Sequence, residues 1–280
     1  GFTDYEELTR TRRLIMRSYK LPGNRLRLLH PNENRGAVTI DEERDYHFRY
    51  VLEDNFGNRR TYQFIVKGKR QDIPEYKPEA NEMLYWNRTN VIQKPGMELV
   101  VPRYYVYEDV PLRTDMRGDS SHIAFDYILD AGRTPIHSYC DLSIGLRHMP
   151  VADTTKYYIV QKAGKWRSSM GGKYANGWIK TRVRSLGTFS VDVDTIAPQI
   201  TPIGQGGWRT SRNIRFRIKD MESGIGSYKV YIDGKFVLFG LKKGILVIQN
   251  PEKVKKGVSH KLEVTVTDQC GNMTRKEYKF

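Results

Sequence analysis

Apolar and polar positions alternate with a period of two along much of this chain, and the alternation predicts strands. Leu262, Val264 and Val266 alternate with Glu263, Thr265 and Thr267, and Ile214, Phe216 and Ile218 with Arg215, Arg217 and Lys219. Such spacing puts the apolar set on one sheet face and the polar set on the other. Tyr228, Val230 and Ile232 repeat the pattern, as do Phe48, Tyr50 and Leu52, although Val51 makes the outer face of that last strand less polar. Two of these strands end alike, in "FRYVLEDNFGN" (48–58) and "LEVTVTDQCGN" (262–272). In each, an aspartate (Asp54, Asp268) can accept a backbone N–H two residues on, and a glycine (Gly57, Gly271) supplies positive φ. Asn58 and Asn272 suit a left-handed position next best. A further strand follows each turn, "TYQFIV" or "KEYKF", so both copies predict a β-hairpin. "DMESGI" adds a third acidic turn with Asp220, Ser223 and Gly224, and Asp233–Gly234 is a two-residue hairpin signal.

These elements fall into an all-β chain of tandem immunoglobulin- or fibronectin-like β-sandwich modules. Residues 1–72 predict a short leading helix, with a capping box of Thr3 and Glu6, then a "LPGN" turn and strands at "LIMRSY", "RLRLL", "GAVTI" and "YHFRYVLED". This module reads as incomplete at its N-terminus. Residues 67–82 are polar, with two prolines and no periodicity, and read as a linker. Residues 79–195 form a second sandwich, with strands at "GMELVVP", "YYVYED", "SHIAFDYILD", "YYIVQKAGKW", "GWIKTRV" and "GTFSVDVD". Residues 196–280 form a third, of about seven strands.

At 39% hydrophobic and 11% aromatic residues, with 18 tyrosines, the chain can build real cores and favours strands. No apolar run approaches a membrane span. Gly1 in place of Met, with no charged-then-apolar leader after it, reads as a remnant on a segment cut from something longer. The net charge is +15, and about +9 of it lies in residues 196–280. That excess fits a solvated lysine-rich surface or a negatively charged envelope polymer; short nucleic-acid signatures are missing, and no nucleic-acid partner is expected. Cys140 and Cys270 stand far apart and read as buried and unpaired.

The order of "DYEELTRTRRLIMRSYKLPGNRL", "LEDNFGNRRTYQFIVKG", "PGMELVVPRYYVYED", "TPIHSYCDLSIG", "GGKYANGWIKTRVRSLGTFSVDVDTIAPQI" and "IRFRIKDMESGIGSYKVYIDGK" resembles the β-rich C-terminal accessory region of Bacteroidetes-type lysostaphin/LytM-like zinc metallopeptidases. The resemblance spans essentially the whole chain. It implies an extracytoplasmic location and an upstream peptidase domain that cleaves peptidoglycan cross-links. That domain would be a partner in the same protein, and zinc is expected only there. Within this chain the family's His-x-x-x-Asp spacing occurs at His122/Asp126 and His137/Asp141, but no two histidines stand two apart. A catalytic zinc needs three protein ligands and an open position, so the chain is read as non-catalytic, with no cofactor of its own.

Two binding chemistries remain open. Tyr157, Tyr158, Trp166, Tyr174 and Trp178 cluster in one stretch with Gly171, Gly172 and Gly177. Trp166, Tyr174 and Trp178 are candidate platforms for a glycan, with core and edge packing as the plainer alternative. The acidic turns at Asp54–Asn58, Asp220–Ser223 and Asp268–Asn272 have oxygens for calcium, yet each alone holds too few carboxylates and reads first as turn stabilisation. The functional expectation is an accessory region that positions, restrains or docks a peptidase through wall polymer or envelope proteins. The alternative is a stand-alone surface adhesion or glycan-binding protein.

Overall fold

The computed structural model describes residues 3–72, 74, 79–119 and 121–280, divided between two compact units, Gly1–Glu79 and Ala80–Phe280. The fold is all-β apart from short helices.

The first unit holds helix α1 (Tyr5–Thr11) and one antiparallel hairpin, β1 (Asp45–Glu53) with β2 (Arg59–Lys67). Asp4 caps α1, not Thr3: its carboxylate accepts the Glu7 N–H at 3.0 Å. Thr3 is instead held extended by a bridge to Met16, and a carboxylate at the cap also meets the positive end of the helix. The side chain of Glu6 lies outside what is described. In the hairpin Phe48 faces Phe64 and Tyr50 faces Tyr62, and the Phe48 and Phe64 rings stack at 5.1 Å. Tyr50, Leu52 and Tyr62 stay exposed on that face.

"RLRLL" and "GAVTI" are not strands; both run as turns and irregular chain, with Leu28 and Val38 in solvent. "LIMRSY" contributes only the bridge at Met16. Alternation alone gives a segment two faces, but a strand also needs a neighbour's backbone along its length, and beyond the single bridge at Met16 none of these finds one. Of the expected linker, residues 73 and 75–78 lie outside the described residues.

In the second unit two sandwiches follow one another. The first comprises β3 (Glu82–Leu84), β4 (Asn90–Lys94), β5 (Met97–Val101), β6 (Val110–Arg117), β7 (Asp126–Asp130), β8 (Cys140–Gly145), β9 (Tyr157–Ala163), β10 (Trp166–Ser169), β11 (Lys173–Ala175), β12 (Trp178–Val183) and β13 (Gly187–Val193). They form a six-stranded sheet, β10-β9-β13-β7-β6-β3, over a five-stranded one, β11-β12-β8-β5-β4. Leu84, Leu99, Leu112, Leu142, Ile144 and Phe189 are fully buried between them. "YYVYED" is not a strand: Tyr104 takes φ +70° and the segment turns, with the Tyr104 N–H on the Trp86 carbonyl.

The second sandwich comprises β14 (Gln199–Ile203), helix α2 (Trp208–Ser211), β15 (Arg215–Lys219), β16 (Ile225–Ile232), β17 (Lys235–Phe236), β18 (Phe239–Lys242), β19 (Ile245–Ile248), β20 (Lys261–Asp268) and β21 (Met273–Lys279). Its sheets are β14-β15-β19-β18 and β17-β16-β20-β21. Phe216, Ile218, Val230, Leu246, Leu262, Val264 and Val266 fill the space between them, and Trp208 closes the end.

One contact makes this sandwich sensitive to pH. His260, 7% exposed, places Nδ1 2.6 Å from Asp233 Oδ2 and Nε2 2.8 Å from the Lys255 carbonyl. Both partners only accept, so both ring nitrogens carry protons and the ring is cationic. Burial opposes that charge, but the hydrogen bonds to Asp233 and Lys255 outweigh it and raise the pKa above its ordinary 6.5. A raised histidine pKa gives stability that is complete below the unfolded value and lost as pH rises through the folded one. The melting temperature should therefore fall as pH is raised from about 6.5. His260→Gln should flatten that slope, and an unchanged slope in the variant would count against the charged pair.

Candidate functional site

The aromatic stretch at 157–178 does not assemble into one platform. Tyr157 and Tyr158 are buried, and the Tyr157 hydroxyl donates to the Val151 carbonyl at 2.7 Å. Trp166 stands 80% exposed on β10, an edge strand of the six-stranded sheet. Tyr174 lies on β11, an edge of the opposite sheet. Gly171 and Gly172 pack close to the body of the sandwich, where a Cβ on Gly172 would stand 2.5 Å from the Ile179 side chain.

Trp178 alone enters a cleft, of about 460 Å³, at one end of the first sandwich. Three chain turns meet around its ring. Pro95 and Gly96 come from the β4–β5 turn, Gly145, Leu146 and Arg147 from the end of β8, and Gly177 from the β11–β12 turn. Phe125 and Tyr127, at the start of β7, complete the wall. The Gly145 N–H donates to the Gly96 carbonyl at 2.9 Å and the Leu146 N–H to the Gly177 carbonyl at 2.8 Å, which fixes the rim. Gly96 has φ +76°, and a Cβ there would stand 2.6 Å from the Tyr127 hydroxyl. That hydroxyl donates to the Pro95 carbonyl at 2.7 Å, and burial pushes its pKa up to about 12, so it stays neutral. Arg147 stacks over the Phe125 ring at 4.1 Å and donates to the Asp119 carbonyl.

The cleft thus joins the half-buried Phe125 and Trp178 rings, the buried Tyr127 ring, bare backbone and one guanidinium. The residues lining it are apolar, aromatic or glycine apart from Arg147 and the Tyr127 hydroxyl, which is engaged with the Pro95 carbonyl. An amphipathic ligand with an apolar face and a hydroxylated rim fits such a surface.

A second constellation joins the two sandwiches. Asp194, Asp220 and Asp268 bring carboxylate oxygens within 4.8 Å of one another, with Asp194 and Asp268 buried. Two of the three acidic turns predicted from sequence therefore converge, while Asp54 belongs to the other compact unit. Asp194, in the segment between β13 and β14, carried no signal of its own. Burial first, and then the charges of Asp194 and Asp268, push the Asp220 carboxyl above its ordinary range.

Calcium takes six to eight oxygens. Here the turns already supply donors to the acids. Asp268 accepts from the Cys270 N–H, the Asn272 N–H and the Asn272 amide. Asp194 accepts from the Ile196 and Ser223 N–H groups, and Asp220 from those of Glu222 and Gly224. Around them Lys156 Nζ donates to the Cys270 carbonyl at 3.0 Å, and Tyr158, Val160 and Cys270 form a small apolar cluster. The constellation works as a joint between sandwiches. Both cysteines are free and buried; desolvation raises the Cys140 thiol to about 12 and the Cys270 thiol to about 11.

The histidines with metal-like spacing do not gather. His122 pairs with Asp119 at 2.9 Å, His137 with the Tyr107 hydroxyl at 3.0 Å, and Asp126 with Lys162 at 2.6 Å. Among the described residues only the aspartate triad brings three such ligands together. Among the described residues no helix is long and apolar enough to cross a membrane.

Residues 81–194, the first sandwich, match the Zu5-like domain family. None of the curated proteins matches the chain. Among solved structures, the chain is similar to a Ca²⁺-stabilised adhesin with which an Antarctic bacterium binds ice, at 9% identity and a TM-score of 0.21, covering 84% of this chain and 80% of that one. It is similar to a polysaccharide lyase at 9% identity and a TM-score of 0.21, covering 83% of this chain and 38% of that one. At that TM-score neither likeness bears on function.

Proposed function

We propose that this chain is a non-catalytic, glycan-binding segment of a protein that works outside the cytoplasm, at the cell surface or in the envelope. The observation that supports it is the Trp178 cleft. The indole offers an apolar face to the C–H surface of a sugar ring. Gly96, Gly145 and Gly177 let the ring approach the backbone, and Arg147 hydrogen-bonds hydroxyl or carboxylate groups at the rim.

The motif order described above favours a second, compatible context. In it the chain is the accessory region of a peptidoglycan peptidase and carries an upstream peptidase domain to its wall substrate. A His-x-x-x-Asp and His-x-His domain encoded upstream supports that context, and a stand-alone adhesion protein would lack it.

Binding of the full chain to purified peptidoglycan sacculi and to insoluble wall polysaccharide tests the proposal. Trp178→Ala should weaken binding about tenfold or more, as expected for a central aromatic anchor. Trp166→Ala, on a distant edge strand, should leave binding unchanged. If Trp178→Ala binds as the parent does while remaining folded, the cleft is not the glycan site.

A further inference from the structure

The excess positive charge of residues 196–280 is not spread evenly over the second sandwich of the larger unit. Arg215, Arg217 and Lys219 occupy alternate, exposed positions of β15, while Phe216 and Ile218 point into the core. Residues two apart on a strand lie about 6.7 Å apart on one face, so the three cations form a row. β15 is an inner strand, flanked by β14 and β19. The register places Thr201 and Ile245 on either side of Arg217, and Lys242 opposite Ile245 on the next strand. Lys242 therefore joins the same face about two strand spacings away.

No acidic residue occurs in any strand of this sheet. Among the described residues, no ion pair involves Arg215, Arg217, Lys219 or Lys242. The other sheet of the same sandwich is built differently: it carries acids among its cations, and two of those cations are matched across strands as Lys261–Glu277 and Arg275–Glu263. Asp220, next to Lys219, keeps its carboxylate on its own turn, where it accepts from Glu222 and Gly224. Like charges set side by side repel, and surfaces normally intersperse the two signs. One face follows that rule and the other breaks it.

We infer that the outer face of the β14-β15-β19-β18 sheet binds a linear anionic polysaccharide, with Arg215, Arg217 and Lys219 pairing its carboxylate or phosphate groups and Lys242 holding a flanking one. A row along one strand suits a polymer with charges at regular intervals. The positions between the cations carry Thr201, Ile203, Gly240, Ile245 and Val247. None is aromatic, so the face lacks the stacking platforms by which single-stranded nucleic acids are held. The inference takes from the preceding proposal only the class of ligand; its residues and its sandwich are different.

The test uses the full chain, soluble polygalacturonate as the charged probe and dextran as the neutral one. Polygalacturonate should bind, dextran should not bind this face, and affinity should drop steeply between 50 and 300 mM salt as the charges are screened. The triple variant Arg215→Ser, Arg217→Ser, Lys219→Ser should weaken polygalacturonate binding at least tenfold. A second triple variant, Lys229→Ser, Lys235→Ser, Lys279→Ser, removes equal charge from the other sheet and should leave it unchanged. Both triple variants are also made in the Trp178→Ala background, where the loss from the β15 row should persist and the control should still show none, so failure of the cleft and failure of this face read out separately. Three results overturn the inference: no binding by the parent chain, equal loss in both triple variants, or tighter binding to single-stranded DNA or to anionic lipid vesicles than to polygalacturonate.

Discussion

Trp208→Ala should destabilise the second sandwich of the larger unit by about 4 kcal/mol, the cost of deleting a large buried aromatic side chain. Trp208 is fully buried. Its ring meets Phe216 edge-on at 5.0 Å, with Tyr278 at 5.9 Å and Phe280 at 5.8 Å. It therefore ties α2 to both sheets and to the end of the chain. Its indole N–H donates to the Ile203 carbonyl at 2.9 Å, so the polar edge is satisfied too. For a cooperative unit of about 200 residues, that loss lowers the melting temperature by roughly 10 °C. Trp208→Phe keeps most of the volume but strands the carbonyl, and should cost about 2 kcal/mol. A drop of only a degree or two in Trp208→Ala would mean that the surrounding rings collapse into the space, and that α2 is not the closure of the core.

The sequence announced some of this and hid the rest, for identifiable reasons. Strands β15, β16 and β20 were legible because their apolar positions alternate strictly and their neighbours do the same, so facing and pairing agree. The stretches "RLRLL" and "GAVTI" alternate as well, yet pair with nothing; the pattern encodes a face, not a partner. Trp208 gave no periodic signal, because a helix of four residues after two glycines has no repeat to detect. Trp166 and Trp178 looked equivalent in one glycine-rich stretch. Their fates differ because β10 and β12 belong to opposite sheets, an assignment that local patterning cannot carry. The aspartate joint was half visible. Asp220 and Asp268 stood out as turn residues, but their meeting with Asp194 depends on how two sandwiches dock.

The repeated turn makes that dependence measurable, because the same local structure occurs in two environments. At Asp54 the carboxylate accepts the Phe56 N–H at 2.8 Å, the Asn58 N–H at 3.0 Å and the Asn58 amide at 2.8 Å. At Asp268 the corresponding donors are Cys270 at 2.9 Å, Asn272 at 2.8 Å and its amide at 2.7 Å. Gly57 and Gly271 have φ of +82° and +80°. The difference lies in the surroundings. Asp54 and Asn58 are exposed, and water replaces the carboxylate when it is removed. Asp268 is 4% exposed, Cys270 is buried beside it, and the Asn272 amide also donates to the Asp194 carbonyl at 3.0 Å. Asp268→Ala leaves buried N–H donors unpaired and loosens the joint between sandwiches, at a cost of about 3 kcal/mol. Asp54→Ala should shift the stability of its own unit only slightly. Urea unfolding of both variants, with hydrogen exchange read at the two turns, makes the comparison. Exchange at Cys270 and Asn272 should speed up by about a hundredfold on Asp268→Ala. Equal, small effects at both turns would show that the turn contributes no more when buried than when open to water.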